Sequence, residues 1–206
     1  MQGDETVRET PWLSSVLAAV VFWTALFAFG TLRPEYSQLT KAVSELGAVG
    51  APNALAWNLI GFIVPGLLIA RSGAWIAGAR GALWWFLVLS GIAFAGTGVF
   101  PAVVRNGTPV MLAPLTLGHV AMLLLSSVCW LIGAVVLVRC TWRDPDGRHA
   151  RVSMIAFTLV TFAGLAANVF HEAIPWLAYR PGLAQRLGLL GLFAWYVAVS
   201  ARVRTT

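Results

Sequence analysis

Six long apolar stretches, almost free of charge, constrain this chain more than any other feature. They run Trp12–Leu32, Asn53–Ala70, Gly81–Val99, Leu115–Val138, Val152–Phe170 and Gly182–Ala201. A bilayer core takes about 20 apolar residues per helix. None of the six alternates as a half-buried strand would, and only helices or closed barrels satisfy their backbone in lipid. The expected fold is therefore all-α: a polytopic membrane protein with six transmembrane helices, forming a single bundle over residues 1–206. Composition agrees. Residues are 59% hydrophobic and 11% charged, against roughly 25% charged in a soluble domain, and the mean hydropathy is +0.79.

The net charge of +6 would point to nucleic acid in a soluble protein. Here the basic residues sit in short loops between apolar runs, where they record topology instead. With the N-terminus inside, the inner segments hold Arg8, Arg71, Arg80, Arg139, Arg143, Arg148, Arg151, Arg202 and Arg204, and the outer ones Arg33, Lys41, Arg105, Arg180 and Arg186. That nine-to-five balance predicts that both termini are cytoplasmic. The inner loop around Asp144-Pro145-Asp146-Gly147 reads as a turn. In the first outer loop, Tyr36, Leu39, Val43 and Leu46 share a helical face, which predicts a short amphipathic helix over Glu35–Leu46 ended by Gly47.

Polar groups within apolar runs ask for a partner or a purpose. Gly164, Asn168, His171 and Pro175 recur at helical spacing near the end of the fifth run, with Glu172 beside them. This reads either as a His/Glu pair lining a pocket or as polar residues meeting water where a loop starts. His119, early in the fourth run, is a second acid–base candidate, or an imidazole bonded to a nearby carbonyl. Asn53, Trp57, Gly61 and Pro65 fall at steps of four in the second run, with Asn58 alongside. Pro65 should kink that helix and free the Gly61 carbonyl. Glu45 lies four residues after Lys41, the spacing of an exposed pair. Arg186 is placed either to snorkel or to hold an anionic head group, and Arg105 lies in the second outer loop. Of the tryptophans, Trp23, Trp130 and Trp195 fall nearest mid-membrane, where lipid-facing packing competes with pocket lining. Cys129 and Cys140 are eleven positions apart and form no CxxC pair, so no metal and no cofactor is expected.

The run Ser44-Glu45-Leu46-Gly47-Ala48-Val49-Gly50-Ala51-Pro52-Asn53-Ala54, then Gly61-Phe62 and Gly66-Leu67-Leu68, resembles a bacterial domain-of-unknown-function family, number 998. Phe100-Pro101, His119 and Gly182-Leu183-Ala184-Gln185-Arg186 extend the likeness over most of the chain. The resemblance implies a small protein of about six helices in the bacterial cytoplasmic (inner) membrane. It carries no activity. It also implies an acid shortly after the Phe-Pro pair, where this chain reads Ala102-Val103-Val104-Arg105. It draws attention to Glu45, His119 and Arg186, which fall inside its motifs and are expected to converge at the outer end.

Two functions follow as expectations. One is an enzyme doing acid–base chemistry on a lipid or isoprenoid-like substrate, with Glu45, His119, His171 and Glu172 as proton carriers. Arg186, Asn53, Asn58, Asn168, Arg105 and Trp57 would then bind the substrate in an extracytoplasmic-facing polar pocket. The other is non-catalytic: a lipid-binding or accessory membrane subunit, or a small transporter. Either way the partner is membrane lipid or a hydrophobic small molecule, and homo-oligomer formation is left open.

Overall fold

A computed structural model describes residues 12–105, 108–142 and 148–203, with the side chains of 148–150 and 203 excepted. The turn expected at Asp144–Gly147 lies outside the described residues, as do Arg8, Arg143 and Arg204 of the charge count.

Six helices long and apolar enough to cross a membrane are present among the described residues. We label them α1 (Trp12–Thr31), α2 (Ala54–Ala77), α3 (Gly81–Val99), α4 (Pro114–Thr141), α5 (Arg148–Val169) and α6 (Pro181–Val203). The chain is thus a multi-pass membrane protein. Helix α2 runs seven residues beyond the expected Ala70, because Arg71 at the bundle surface does not interrupt it. A two-residue hairpin, β1 (Val104–Arg105) paired with β2 (Thr108–Pro109), lies between α3 and α4.

Small residues let the helices approach closely. A side chain at Gly66 of α2 would strike the Ala95 backbone of α3, and one at Gly91 of α3 would strike the Ala70 backbone. In lipid, where water provides no drive for helices to associate, such backbone proximity and the dispersion contacts it allows hold the pair together. At the end holding the N-termini of α1 and the C-termini of α2 and α6, Ser15 Oγ lies 2.9 Å from Ser72 Oγ and 3.0 Å from Ser200 Oγ. All three serines are buried, so one node ties three helices. The centre is aromatic: Phe22, Trp57, Phe94 and Phe193 meet at centroid distances of 4.8–6.1 Å. Trp130 and Trp195 are also fully buried, packed edge to face at 5.8 Å, so lipid-facing packing is not their role. Both cysteines are free.

Helix α2 contains a π-turn over Asn58–Ile63, and the Val64 N–H reaches back to the Leu59 carbonyl. The cause is local: Pro65 has no N–H to give the Gly61 carbonyl, and one extra residue in the turn absorbs the mismatch. Asn53 does not continue this helix. It is exposed and left-handed (φ 58°), immediately before the first turn.

The first loop differs from expectation. Its helix is a five-residue 3-10 helix, Val43–Gly47, rather than an amphipathic helix over Glu35–Leu46. Ser37 accepts from the Leu39 and Thr40 N–H groups (3.3 and 3.4 Å), a serine turn that competes with helix. Tyr36, Val43 and Leu46 are buried as the spacing implied, but Leu39 is 49% exposed. The stripe on α5 is also cut short. The helix ends at Val169, and His171 begins a separate three-residue 3-10 turn.

Candidate functional site

The polar residues singled out by sequence collect at the end of the bundle where the 33–52 loop folds over α2 and α6. Three of them, Glu45, Asn58 and Arg186, build that loop into a roof. Arg186, in the second turn of α6, is buried. Its Nε donates to Gln38 Oε1 (2.9 Å), Nη1 to the carbonyls of Lys41 (3.0 Å) and Gly182 (2.7 Å), and Nη2 to the Tyr36 hydroxyl (2.6 Å). The Tyr36 hydroxyl donates onward to the Ala42 carbonyl at 3.1 Å. Burial raises the Tyr36 phenol above its ordinary value, with the Arg186 guanidinium pulling the other way.

The rest of the C-terminal motif serves the same purpose. The Leu183 N–H donates to the Leu39 carbonyl (3.0 Å), and the Val43 N–H donates to Gln185 Oε1 (2.6 Å). A side chain at Gly182 would collide with the Lys41 and Leu39 carbonyls. The helix start therefore reads as a template for loop backbone.

The N-terminal motif explains itself similarly. Asn58 is buried, and its Nδ2 donates to the Gly47 carbonyl at 2.9 Å. Gly47 has no room for a Cβ because Asn58 and the Trp57 ring occupy that space. Glu45 caps its own 3-10 helix, accepting from the Ala42 N–H at 2.9 Å, and pairs with Lys41 at 3.3 Å. Glu45 and Arg186 thus belong to one roof but do not pair. Each is satisfied elsewhere.

His119 lies beneath the roof in α4 and is 7% exposed. Its Nδ1 is 2.9 Å from the Thr97 carbonyl and 3.0 Å from the Phe100 carbonyl. Both partners are acceptors, so Nδ1 carries the proton. The Phe-Pro pair accounts for this contact. In a continuing helix the residue 101 N–H would bond the Thr97 carbonyl, but residue 101 is proline. His119 supplies the missing donor to the end of α3. The ring meets Phe62 edge to face at 5.9 Å.

A cavity of about 130 Å³ opens beside this imidazole. Its wall is mostly apolar, including Val43, Phe62, Phe94, Leu165 and Leu189, with Thr97, His119, Ser127, Asn168 and Gln185 as polar members. No charged residue is among them. A second depression of about 210 Å³ shares Ser127, Leu165 and Val169 with the cavity and lies between α4 and α5. These helices touch only lightly, and 11% of the α5 span is buried. The cavity and this depression thus share part of a wall along α4 and α5, where most of α5 is unburied.

Of the other expected site residues, Asn168 lines the cavity. His171 bonds the Asn168 carbonyl through Nδ1 at 3.0 Å, and Glu172, Asn53 and Arg105 are exposed. Trp57 is fully buried in the aromatic centre, and Asn58 holds the roof. Gln185, Gln38 and Tyr36 were not anticipated. Only Gln185 carried a usable signal, being adjacent to Arg186 within one motif.

A protein family described as "Protein of unknown function (DUF998)" matches residues 16–202. The chain belongs to this family. No curated protein and no solved structure matches the chain. The segments that carried the resemblance make the contacts described above: Glu45 to Gly47 and Gly182 to Arg186 in the roof, and Phe100 with His119 beneath it.

Proposed function

We propose that the chain holds a lipid or isoprenoid-like hydrophobic molecule, taken in sideways from the bilayer between α4 and α5 and lodged beneath the 33–52 roof. One observation carries this reading: the mostly apolar cavity beside His119 shares Ser127, Leu165 and Val169 with an open depression between α4 and α5. The expected acid–base enzyme finds one point of support. His119 holds Nδ1–H on two carbonyls, so Nε2 has a fixed position as a base. Glu45, His171 and Glu172 do not line the cavity, so a second proton carrier is wanting there. Binding is the better-supported function. The Arg/Lys balance favours cytoplasmic termini in a bacterial inner membrane, which turns the roof outward.

Native mass spectrometry of the protein released from nanodiscs tests the binding. An apolar molecule should stay bound, and Ser127→Trp or Leu165→Trp should displace it by filling the cavity. Retention unaffected by either substitution, or no retention, would sink the reading. For topology, a reporter active only in the periplasm, fused after Val203, should be silent.

A further inference from the structure

Resting on that reading, we propose that the bound molecule ends in an uncharged hydroxyl, which donates a hydrogen bond to His119 Nε2. The wall of the cavity decides the polarity. His119 spends Nδ1–H on the Thr97 and Phe100 carbonyls, so toward a ligand the neutral ring offers a lone pair and no proton. The two hydroxyls in the wall are already donating: Thr97 Oγ1 to the Phe94 carbonyl at 2.6 Å, and Ser127 Oγ to the Leu123 carbonyl at 3.0 Å. Gln185 Oε1 accepts from the Val43 N–H. The buried imidazole of the wall therefore offers an acceptor that awaits a donor.

Charge argues against an anionic head group. No lysine or arginine lines the cavity. The nearby cation, Arg186, points its donors at Gln38, Lys41, Gly182 and Tyr36. A phosphate or carboxylate would be buried without a counter-charge, which is strongly unfavourable. A hydroxyl satisfies Nε2 at little desolvation cost, and its own oxygen can accept from the Gln185 or Asn168 amide.

Size fits an alcohol end. The volume of about 130 Å³ is close to the ~150 Å³ of apolar cavities that admit benzene. It takes a head and its first carbons, and the remaining chain runs along the α4/α5 seam. The occupant is thus a long-chain alcohol or a neutral hydroxyl-bearing lipid.

The experiment uses the full chain in nanodiscs of zwitterionic lipid at pH 8, with a chain-labelled diazirine alcohol as photoprobe. Competitors are a long-chain alcohol, the fatty acid and the alkyl phosphate of equal length. The alcohol should displace the probe from cavity-lining peptides about tenfold better than either anion, the scale of one good hydrogen bond. In His119→Asn the side-chain amide takes the place of Nδ1–H but nothing replaces Nε2. The alcohol's advantage over a methyl-ether analogue should there fall to about twofold or less. Equal competition by an anion in the wild type would overturn the hydroxyl assignment while leaving a lipid site. An undiminished preference for alcohol over ether in His119→Asn would do the same. No labelling of the cavity wall would overturn both the assignment and the binding reading beneath it.

Discussion

Replacing Arg186 by alanine removes the group on which the roof converges. Arg186 is 7% exposed, and its guanidinium donates four hydrogen bonds, to Gln38, Lys41, Gly182 and Tyr36. A hydrogen bond to a charged group contributes about 1.5–3 kcal/mol, and a buried polar atom left unpaired costs about 1–3 kcal/mol. The four are coupled through one side chain, so they do not add. The Gly182 carbonyl also keeps its helical partner. We expect a loss of about 3–5 kcal/mol, which is roughly 10²- to 10⁴-fold in the folding equilibrium. On the scale for soluble chains of this length, the melting temperature should fall by about 6–20 °C. Arg186→Lys keeps the charge but not the planar fork, and should recover less than half of the loss. Arg180→Ala, at an exposed position, should stay within about 0.5 kcal/mol. Thermal unfolding in one detergent, followed by tryptophan fluorescence, measures all three. An Arg186→Ala protein that melts with the wild type would refute the account of the roof.

Gly47→Ala should destabilise by about 1–3 kcal/mol through overpacking against Asn58 and Trp57, measurable in the same melts, and Asn58→Ala in that background should relieve part of it. Glu45→Gln should cost about 1 kcal/mol or less, because the amide oxygen still accepts from the Ala42 N–H while a Lys41 pair partly open to water contributes little. Tyr36 is held protonated in the folded protein above its ordinary value. Its contribution is whole below that value and is lost as pH rises through the folded one, since the unfolded chain releases the proton first. Stability measured from pH 9 to 11 should therefore fall less steeply in Tyr36→Phe than in the wild type, and parallel slopes would contradict the assignment.

The six spans were legible because their apolar length admits almost no other reading. What the polar residues do was legible only in part. A search for opposite charges pairs Glu45 with Arg186, yet Arg186 is satisfied by neutral acceptors, two of them main-chain carbonyls that leave no mark in a sequence. The helical spacing of Tyr36, Val43 and Leu46 named buried residues correctly while misreading the backbone between them, because Ser37 turns the chain. The link between Pro101 and His119 was within reach. A proline two residues past a helix end leaves a carbonyl four residues earlier without its donor, and a polar side chain in the next helix is the natural replacement. Nothing in Ser15, Ser72 and Ser200 taken singly reveals that they meet.

The central claim is that a lipid-like molecule enters the cavity beneath the roof. Leu189 and Phe94 line that cavity but are 6% and 1% exposed, so lipid flowing around the protein does not reach them. Residue-level mapping of photoproducts from a chain-labelled diazirine lipid in nanodiscs tests the claim most directly. Labelling at Leu189 and Phe94 should approach that at Leu67, which is 55% exposed. Labels confined to the exposed residues of α2, α4 and α5, with none at Leu189 or Phe94, would contradict it.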